Sequence, residues 1–577
     1  MPGYDDRDWN NALWAEPPRG EKRICEANPI VVSQKLRPVS ITKEKEGYRY
    51  DFGINTAGLC RLTVSGEAGQ KIDLFHGEVV VDGCLYTRNL VFRDGDITQH
   101  DTYICRGGQK ESYMPSFTYH GFRYVLVKGI TEEQATPELL TYFEMHSDLQ
   151  ERGGFSCSDQ TCNKLQEIAR RSDLSNFFYF PTDCPHREKN GWTADAALSA
   201  EHMLMNLSAE KDYLEWIRLI CATQSKDGSL PGIIPTGGWG FAWGNGPAWD
   251  NVIVEIPYYT YVYRGNTEIL KVSASSILRY LHYITTKIRP DGLVCCGLGD
   301  WCPPGRVEGN YLSPLEFTDS VMTMEIARKA AYIFGVLKMI PQQYFAEEIE
   351  TKMRAVIRKR LLDFNTMTAA GNCQTSQAMA LYYGVFENGE RPAAFMKLLD
   401  LIEKDRRFIQ TGVLGARVIF HVLSEFGRSD LAFEMITRPE HPSYGNIIKR
   451  GATSLWETFQ PEGGRILSLN HHFWGDISNW FISKLAGIRY NPYHNNHNEV
   501  DIRPAFIPQL NHAEGFHECA NGKISSAWRR EGERIVLKLE VPAGMTGQIR
   551  LENGFLFEEI DRPLRPLESG KYCIYKK

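Results

Sequence analysis

SVMTMEIARKAAYIFGVLKMI, from Ser320 to Ile340, is the stretch on which the fold turns. Ile326, Ala330, Ile333, Phe334 and Leu337 recur three or four residues apart and make one apolar stripe. That period belongs to a helix that buries the stripe and leaves the opposite face to water. The same period returns in CNKLQEIARRSDLSNFFYF, SASSILRYLHYITTKI, AFMKLLDLIEKD, LGARVIFHVLSEFG and HFWGDISNWFISKLAG, all between Ser156 and Gly487. Gly-, Trp- and Pro-rich loops such as IPTGGWGFAWGNGPAWDN separate them. Many amphipathic helices joined this way predict helices stacked in pairs, with their loops gathered at one end. No fixed-period repeat is visible, which disfavours a regular solenoid.

On both sides of this body the period changes to two. YRYDFG, CRLTVSG, KIDLFHGEVV and FRYVLVKG precede it, and VDIRPAFIPQ, GKISSAWRREGERIVLKLEVP and MTGQIRLENG follow it. Each alternates apolar and polar residues between turn signals, so antiparallel sandwiches are expected there. The division is a lead-in over 1–28, a sandwich over 29–148, a helical body over 149–487 and a second sandwich over 488–577.

Composition narrows the function. The 577 residues carry a formal net charge of −6, with Lys and Arg scattered rather than striped, which disfavours nucleic acid and acidic membrane surfaces as partners. The start, MPGYDDRDWNNALWAEPPRGEKRIC, is acidic where a secretory signal is basic and then apolar. No run of about 18 apolar residues supplies a spanning helix. Fourteen cysteines at irregular spacing read as reduced thiols in the cytoplasm rather than a disulfide framework or zinc site. Neither His471 with His472 nor His494 with His497 has companions at metal spacing; no metal and no cofactor are expected.

Chemistry concentrates in the loops of the helical body. Asp183, Glu188, Trp192 and Asp195 share DCPHREKNGWTAD; Trp239, Trp243, Trp249 and Asp250 share the Gly-rich loop. Asp300 and Trp301 stand in LGDW, and Trp456 and Glu457 in GATSLWETFQPEGG. A pyranose suits this mixture, because its C–H faces stack on indoles and its hydroxyls bond to carboxylates, Arg and His. Breaking a glycosidic bond needs two carboxyl groups in opposite protonation states. For any one motif a structural reading also stands: a helix-capping loop at Asp183, an ion pair at Glu457, core packing at Trp301, a satisfied buried histidine at His471.

Taken in order, DCPHREKNGWTADA, AWDN, GDW, GATSLWETF and SLNHHFWGDISNWF resemble the signature series of the α-L-rhamnosidases of glycoside hydrolase family 78. YDFGINTAGLCRLTVSGEAG and FTYHGFRYVLVKG resemble the sandwich that precedes the catalytic barrel in that family. The resemblance covers the chain from about residue 40 onward. It implies an (α/α)6 barrel flanked by antiparallel β-sandwiches that releases terminal α-L-rhamnose by an inverting, metal-independent route. By motif it places Glu188 as general acid and Glu457 as general base. Asp183, Arg187, Trp192 and Asp195 match sugar-binding positions, and Trp249, Trp301 and His471 match further pocket positions. Three departures stand out: Arg187 and Glu188 are adjacent where an acidic residue commonly intervenes, AWDN lacks a Gly, and the segment from Glu457 to His471 is short.

A general acid must hold its proton near neutral pH, which burial and negative neighbours promote. Asp183, Asp195 and Trp192 provide these for Glu188, so Arg187 is expected to face the sugar or Asp183 instead. Trp456 and Phe459 are expected to shield Glu457 from bulk water. The expected partners are a small rhamnoside and, at most, a second copy in a homodimer. Two other readings stay open: a catalytically silent sugar-binding protein, and the same barrel acting on another L-configured pyranose.

Overall fold

The computed structural model describes residues 5–17, 22–91, 99–305, 311–490 and 497–577. The alternating segments near the start fold into an eight-stranded antiparallel sheet. Its organiser is the strand Gly47–Val64, which pairs with Ser40–Glu44, Leu140–Ser147, His120–Lys128 and Glu111–Tyr113. One strand serves so many partners because its register breaks between Asp51 and Thr56, where Gly53 adopts φ +81; such a bulge bends a strand. Tyr50, Phe52, Leu62, Ile72, Leu74, Phe122 and Tyr142 fill the core on one face.

Fourteen α-helices follow among the described residues: α1 Gln160–Ser175, α2 Thr193–Asn206, α3 Glu210–Thr223, α4 Pro247–Asp250, α5 Val252–Arg264, α6 Thr267–Thr285, α7 Leu315–Val336, α8 Ile340–Leu361, α9 Gln374–Tyr382, α10 Arg391–Lys404, α11 Val413–Glu425, α12 Ser429–Thr437, α13 Tyr444–Lys449 and α14 Asp476–Trp480. Helices α2, α5, α7, α9, α11 and α14 each pack on the next, and α14 returns to α2, closing a ring. Outside it α1, α3, α6, α8, α10 and α12 each pack on a ring helix. The outer helices are amphipathic: α6 buries Ile269, Leu270, Ser273, Ala274, Ile277, Tyr280, Leu281 and Ile284 at helical spacing. The inner ones are buried nearly all round; in α5 every residue but Arg264 is buried, as a helix with neighbours on both sides requires.

The decisive stretch lies in α7, an inner helix, and here the expectation of a solvated opposite face is wrong. Glu325 and Lys329, off the apolar stripe, are also buried. The Lys329 ammonium lies 2.5 Å from Glu255 on α5 and 3.5 Å from Glu325. Buried charges persist only when paired, and the ring supplies the pairs from its neighbouring helix.

After the helices, five strands between His512 and Lys576 form an antiparallel sheet whose sixth member, Gly153–Cys157, comes from before α1. That strand ties the two ends of the helical body together. The neighbouring four-stranded sheet corrects the antiparallel expectation: Ile502 and Ile549 pair in parallel. Strands Val500–Ile502 and Gln548–Arg550 are separated by the hairpins of the larger sheet, and such a long crossover lets a chain re-enter in the same direction.

Candidate active site

The loop from Thr182 to Trp192 leads into α2. Two backbone-level bonds close it: the Asn190 N–H donates to Asp183 Oδ1 at 2.9 Å, and the Asp183 N–H donates to the Asn190 carbonyl at 3.0 Å. The N-terminal sheet backs it so closely that a Cβ on Gly121 would lie 2.5 Å from Pro185 Cγ. Glu78, fully enclosed on that sheet's side, lies 3.1 Å from His186 Nε2 in this loop. It also accepts from the Leu469 N–H at 3.0 Å, from Asn55 Nδ2 at 2.9 Å and from Asn89 Nδ2 at 3.0 Å. Burial would raise the Glu78 carboxyl, but His186 and these donors hold it below its ordinary range. One carboxylate therefore pins the loop carrying Glu188 and the loop carrying His471 to the same sheet.

Between these loops lies a pocket of about 160 Å³ lined by Asp183, Glu188, Trp192, Asp195, Trp249, Trp301, Glu457 and His471. Eight of the nine sequence candidates thus come together, from loops about 270 residues apart in the chain. Pockets for drug-sized ligands run to about 300–1,000 Å³; this one suits a single sugar ring. Trp249 and Trp301 meet edge to face, centroids 6.3 Å apart at 85°. Trp192 donates its indole N–H to Glu188 Oε2 at 3.0 Å. Glu457 is held by its own backbone N–H to the Ser468 carbonyl, by the Ser468 N–H on Oε2 at 2.9 Å, and by Trp474, whose indole donates to the Glu457 carbonyl at 2.9 Å.

Arg187 is the ninth candidate and does not line the pocket. It corrects the expectation that its guanidinium faces the sugar or Asp183: Nη2 lies 2.9 Å from Glu457 Oε2 and Nε 3.5 Å from Glu188 Oε1. The physical reason is that both glutamates are nearly enclosed, and a planar fork can satisfy two such carboxylates at once. The expected shield of Glu457 also differs. Trp456 packs in the core under the Arg450 guanidinium, 4.7 Å from its ring, and Phe459 packs on Tyr444 and Trp474; neither lines the pocket, whereas Phe473 does.

The electrostatics separate the acids. Burial alone would raise Glu457, yet Arg187, His471 and the Ser468 N–H hold it below the usual carboxylate range. Burial, the neighbouring Glu188 and then Asp195 push the Asp183 carboxyl well above that range. Burial opposes charge on His471, but Asp195 at 3.3 Å and the carboxylates of Glu457 and Asp183 raise its pKa.

Asp250 and Asp300, which sequence grouped with these acids, stand outside the pocket. Asp300 accepts from the Gly412, Leu414 and Gly415 N–H groups and from Thr375; it fastens the start of α11 and thereby fixes Trp301. Asp250 takes bonds from Tyr280 and the Gly246 N–H. Sequence reading missed Glu78, whose only signal is a carboxylate in the strand run KIDLFHGEVV, and it left Trp239 and Trp243 without roles, although both line the pocket.

His472 bonds Ser199 Oγ and the Thr182 carbonyl, so it shares no ligand position with His471; His494 lies outside the described residues. The described residues do bring His76, Asp101 and His120 together with ligand atoms within 4.8 Å of one another. This group is in the N-terminal sheet, not in the pocket. No described helix is long and apolar enough to cross a membrane.

A closed ring of six inner helices with six outer partners, holding carboxylates and indoles at one pocket, defines a six-hairpin glycosidase fold. The profile of the bacterial alpha-L-rhamnosidase 6 hairpin glycosidase domain matches residues 150–485, that of the concanavalin-like domain residues 41–146, and that of the C-terminal domain residues 487–554. The chain belongs to the bacterial α-L-rhamnosidase family, glycoside hydrolase family 78. An alpha-L-rhamnosidase of Streptomyces avermitilis is 28% identical over 95% of this chain and 53% of its own length. One from Formosa agariphila is 28% identical over 99% of this chain and 64% of its own. The chain thus spans about half to two thirds of these relatives. The structure of alpha-L-rhamnosidase from Dictyoglumus thermophilum superposes with TM-score 0.89 at 27% identity, covering 100% of this chain and 67% of that one. The Streptomyces avermitilis enzyme complexed with L-rhamnose gives 0.88 at 26%, covering 100% and 56%.

Proposed function

We propose that this chain hydrolyses terminal α-L-rhamnosides with inversion, with Glu188 as the acid and Glu457 as the base. The observation that carries the reading is one sugar-sized pocket, walled by tryptophans, with these two glutamates on either side of the Arg187 guanidinium. Glu457, held ionised by Arg187 and His471, draws a proton from water as that water attacks the anomeric carbon. Glu188 gives its proton to the departing oxygen. Asp183 hydrogen-bonds a sugar hydroxyl, and Trp301 and Trp249 present indole surface to the sugar's C–H face. Fourteen unpaired cysteines suit a reducing compartment, and we propose the cytosol.

The experiment is hydrolysis of aryl α-L-rhamnoside beside the aryl glycosides of L-fucose, D-mannose and D-glucose, with Glu188→Gln and Glu457→Ala as controls. Rhamnose release lost in both variants supports the reading. Binding of rhamnose without turnover would leave a silent sugar-binding protein, and preferred release of another sugar would move the specificity.

A further inference from the structure

The corner of the sugar pocket where Trp249 meets Trp301 is built from two loops, and one buried acid outside the pocket fastens both. Leu298 and Trp301 line the pocket from the segment that follows Val294. Asp300 anchors the far end of that segment to the start of α11. At the near end the anchor is Asp319, fully buried near the start of α7. Its Oδ2 accepts from the Cys296 N–H at 2.7 Å and from the Gly297 N–H at 2.8 Å. The next residue, Ser320, takes the Val294 N–H on its hydroxyl at 3.0 Å. Two consecutive side chains of one inner helix thus hold the backbone at Val294, Cys296 and Gly297.

Two glycines pass this constraint on to Trp249. A Cβ on Gly297 would lie 2.6 Å from Asp319 Oδ1, and a Cβ on Gly246 would lie 2.4 Å from Gly297 Cα. The carboxyl, Gly297 and Gly246 therefore stack with no room for a side chain at either glycine. Gly246, at φ +103, stands just before α4. Its carbonyl takes the Trp249 N–H at 2.9 Å and the Asp250 N–H at 2.8 Å. A displacement of Gly297 consequently moves Trp301 along the chain and Trp249 through the packing.

The position is a costly one for an acid. Among the described residues Asp319 has no ion-pair partner, and its Oδ1 is buried without a hydrogen-bond partner. Burial lifts its carboxyl to about 7 against the pull of the two N–H groups. A buried acid is retained where its bonds compensate for desolvation, and here those bonds are the two to the loop. An apolar side chain at this place on α7 would leave both N–H groups without their acceptor.

We propose that Asp319 is the positioning residue of the tryptophan corner: it sets how Trp249 and Trp301 stand to one another, and so the fit of the sugar, without itself lining the pocket. The proposal rests on the reading of this pocket as a rhamnose site.

Three variants test it. Asp319→Ala removes the acceptor, Asp319→Asn returns an oxygen to both N–H groups, and Gly297→Ala keeps the carboxyl but pushes the loop off it. Rhamnose affinity is measured by calorimetry, and kcat and KM on an aryl rhamnoside. A third readout needs no sugar: the circular dichroism couplet of the edge-to-face indole pair, identified as the part of the wild-type spectrum that Trp301→Phe removes. In Asp319→Ala and Gly297→Ala the rhamnose Kd and KM should rise about tenfold, and in Asp319→Asn by less than about threefold. Glu188 and Glu457 stand on other loops, so kcat should change by less than about threefold in all three, the pattern of lost binding rather than lost chemistry. The couplet should collapse in the first two variants and persist in Asp319→Asn. A fall in kcat with unchanged Kd overturns the proposal. So does a fall in Tm with Kd and couplet both unchanged, which would make Asp319 a plain core residue. Should Asp319→Ala fail to fold, Gly297→Ala and Asp319→Asn decide by the same criteria. A wild-type chain that neither binds nor hydrolyses rhamnose defeats the functional reading instead, and the couplet then still decides whether Asp319 positions the indoles.

Discussion

Replacing Arg187 by Met removes the cation that links the two glutamates while keeping the bulk of its stem. Arg187 Nη2 lies 2.9 Å from Glu457 Oε2, and both groups are nearly enclosed, so solvent screens the pair little. An opposite charge at this range lowers a carboxyl pKa by about 1–3 units. His471 and the Ser468 N–H remain in the variant, so the Glu457 carboxyl should rise from its depressed position yet stay below where burial alone would put it. The direction is fixed by the base's role. Glu457 works ionised and its pKa lies below the usual value, so wild-type kcat/KM declines only at low pH; without the cation that acid limb should move to higher pH. The assay is a pH profile of kcat/KM on an aryl rhamnoside, which reports groups of the free enzyme. Stability supplies a second readout should turnover be too slow. A carboxyl with a depressed folded pKa contributes stability above its unfolded value, about 4.3 for Glu, and loses it as pH falls through the folded value. That loss should be smaller in Arg187→Met than in the wild type. An unmoved acid limb together with an unmoved acid side of the Tm–pH curve would refute the electrostatic account of Glu457.

Glu188→Gln should lower kcat on poor leaving groups by about two to four orders of magnitude and on an activated aryl rhamnoside by much less; equal losses would remove its role as proton donor. Glu78→Gln keeps the shape but weakens the bond to His186, so kcat should fall on every substrate, with rhamnose binding also weakened because both loops loosen. Unchanged kinetics would show that the clamp does not position the site. Trp301→Ala should weaken rhamnose binding, seen by calorimetry, by about 1–3 kcal/mol for lost aromatic surface; a large drop in Tm with unchanged affinity would make it a core residue.

The barrel was legible because outer helices such as α6 follow a helical period in their buried residues. The inner helices were read less well. In α7 the ring buries Glu325 and Lys329 as an ion pair network across helices, which single-helix periodicity cannot represent. Seven pocket residues stood out because sugar chemistry selects Trp and carboxylates, residue types rare enough to be noticed in loops, while His471 came only from the family resemblance. Arg187 was misplaced for a different reason: its orientation depends on Glu457, distant in sequence and near only after the ring closes. Glu78 was invisible because a carboxylate in the bend between two strands is ordinarily solvated, and only the approach of the loops at His186 and Leu469 buries it.

The account rests on Glu188 and Glu457 acting from opposite sides of the anomeric carbon with a water between them, an arrangement with carboxyl separation of roughly 6.5 to 9.5 Å against about 5 to 5.5 Å for a nucleophile. Proton NMR during the first minutes of α-L-rhamnoside hydrolysis tests this most directly, because attack by that water turns the anomeric centre over. β-Rhamnose appearing first, before mutarotation mixes the anomers, is the predicted result, and α-rhamnose appearing first would contradict the account.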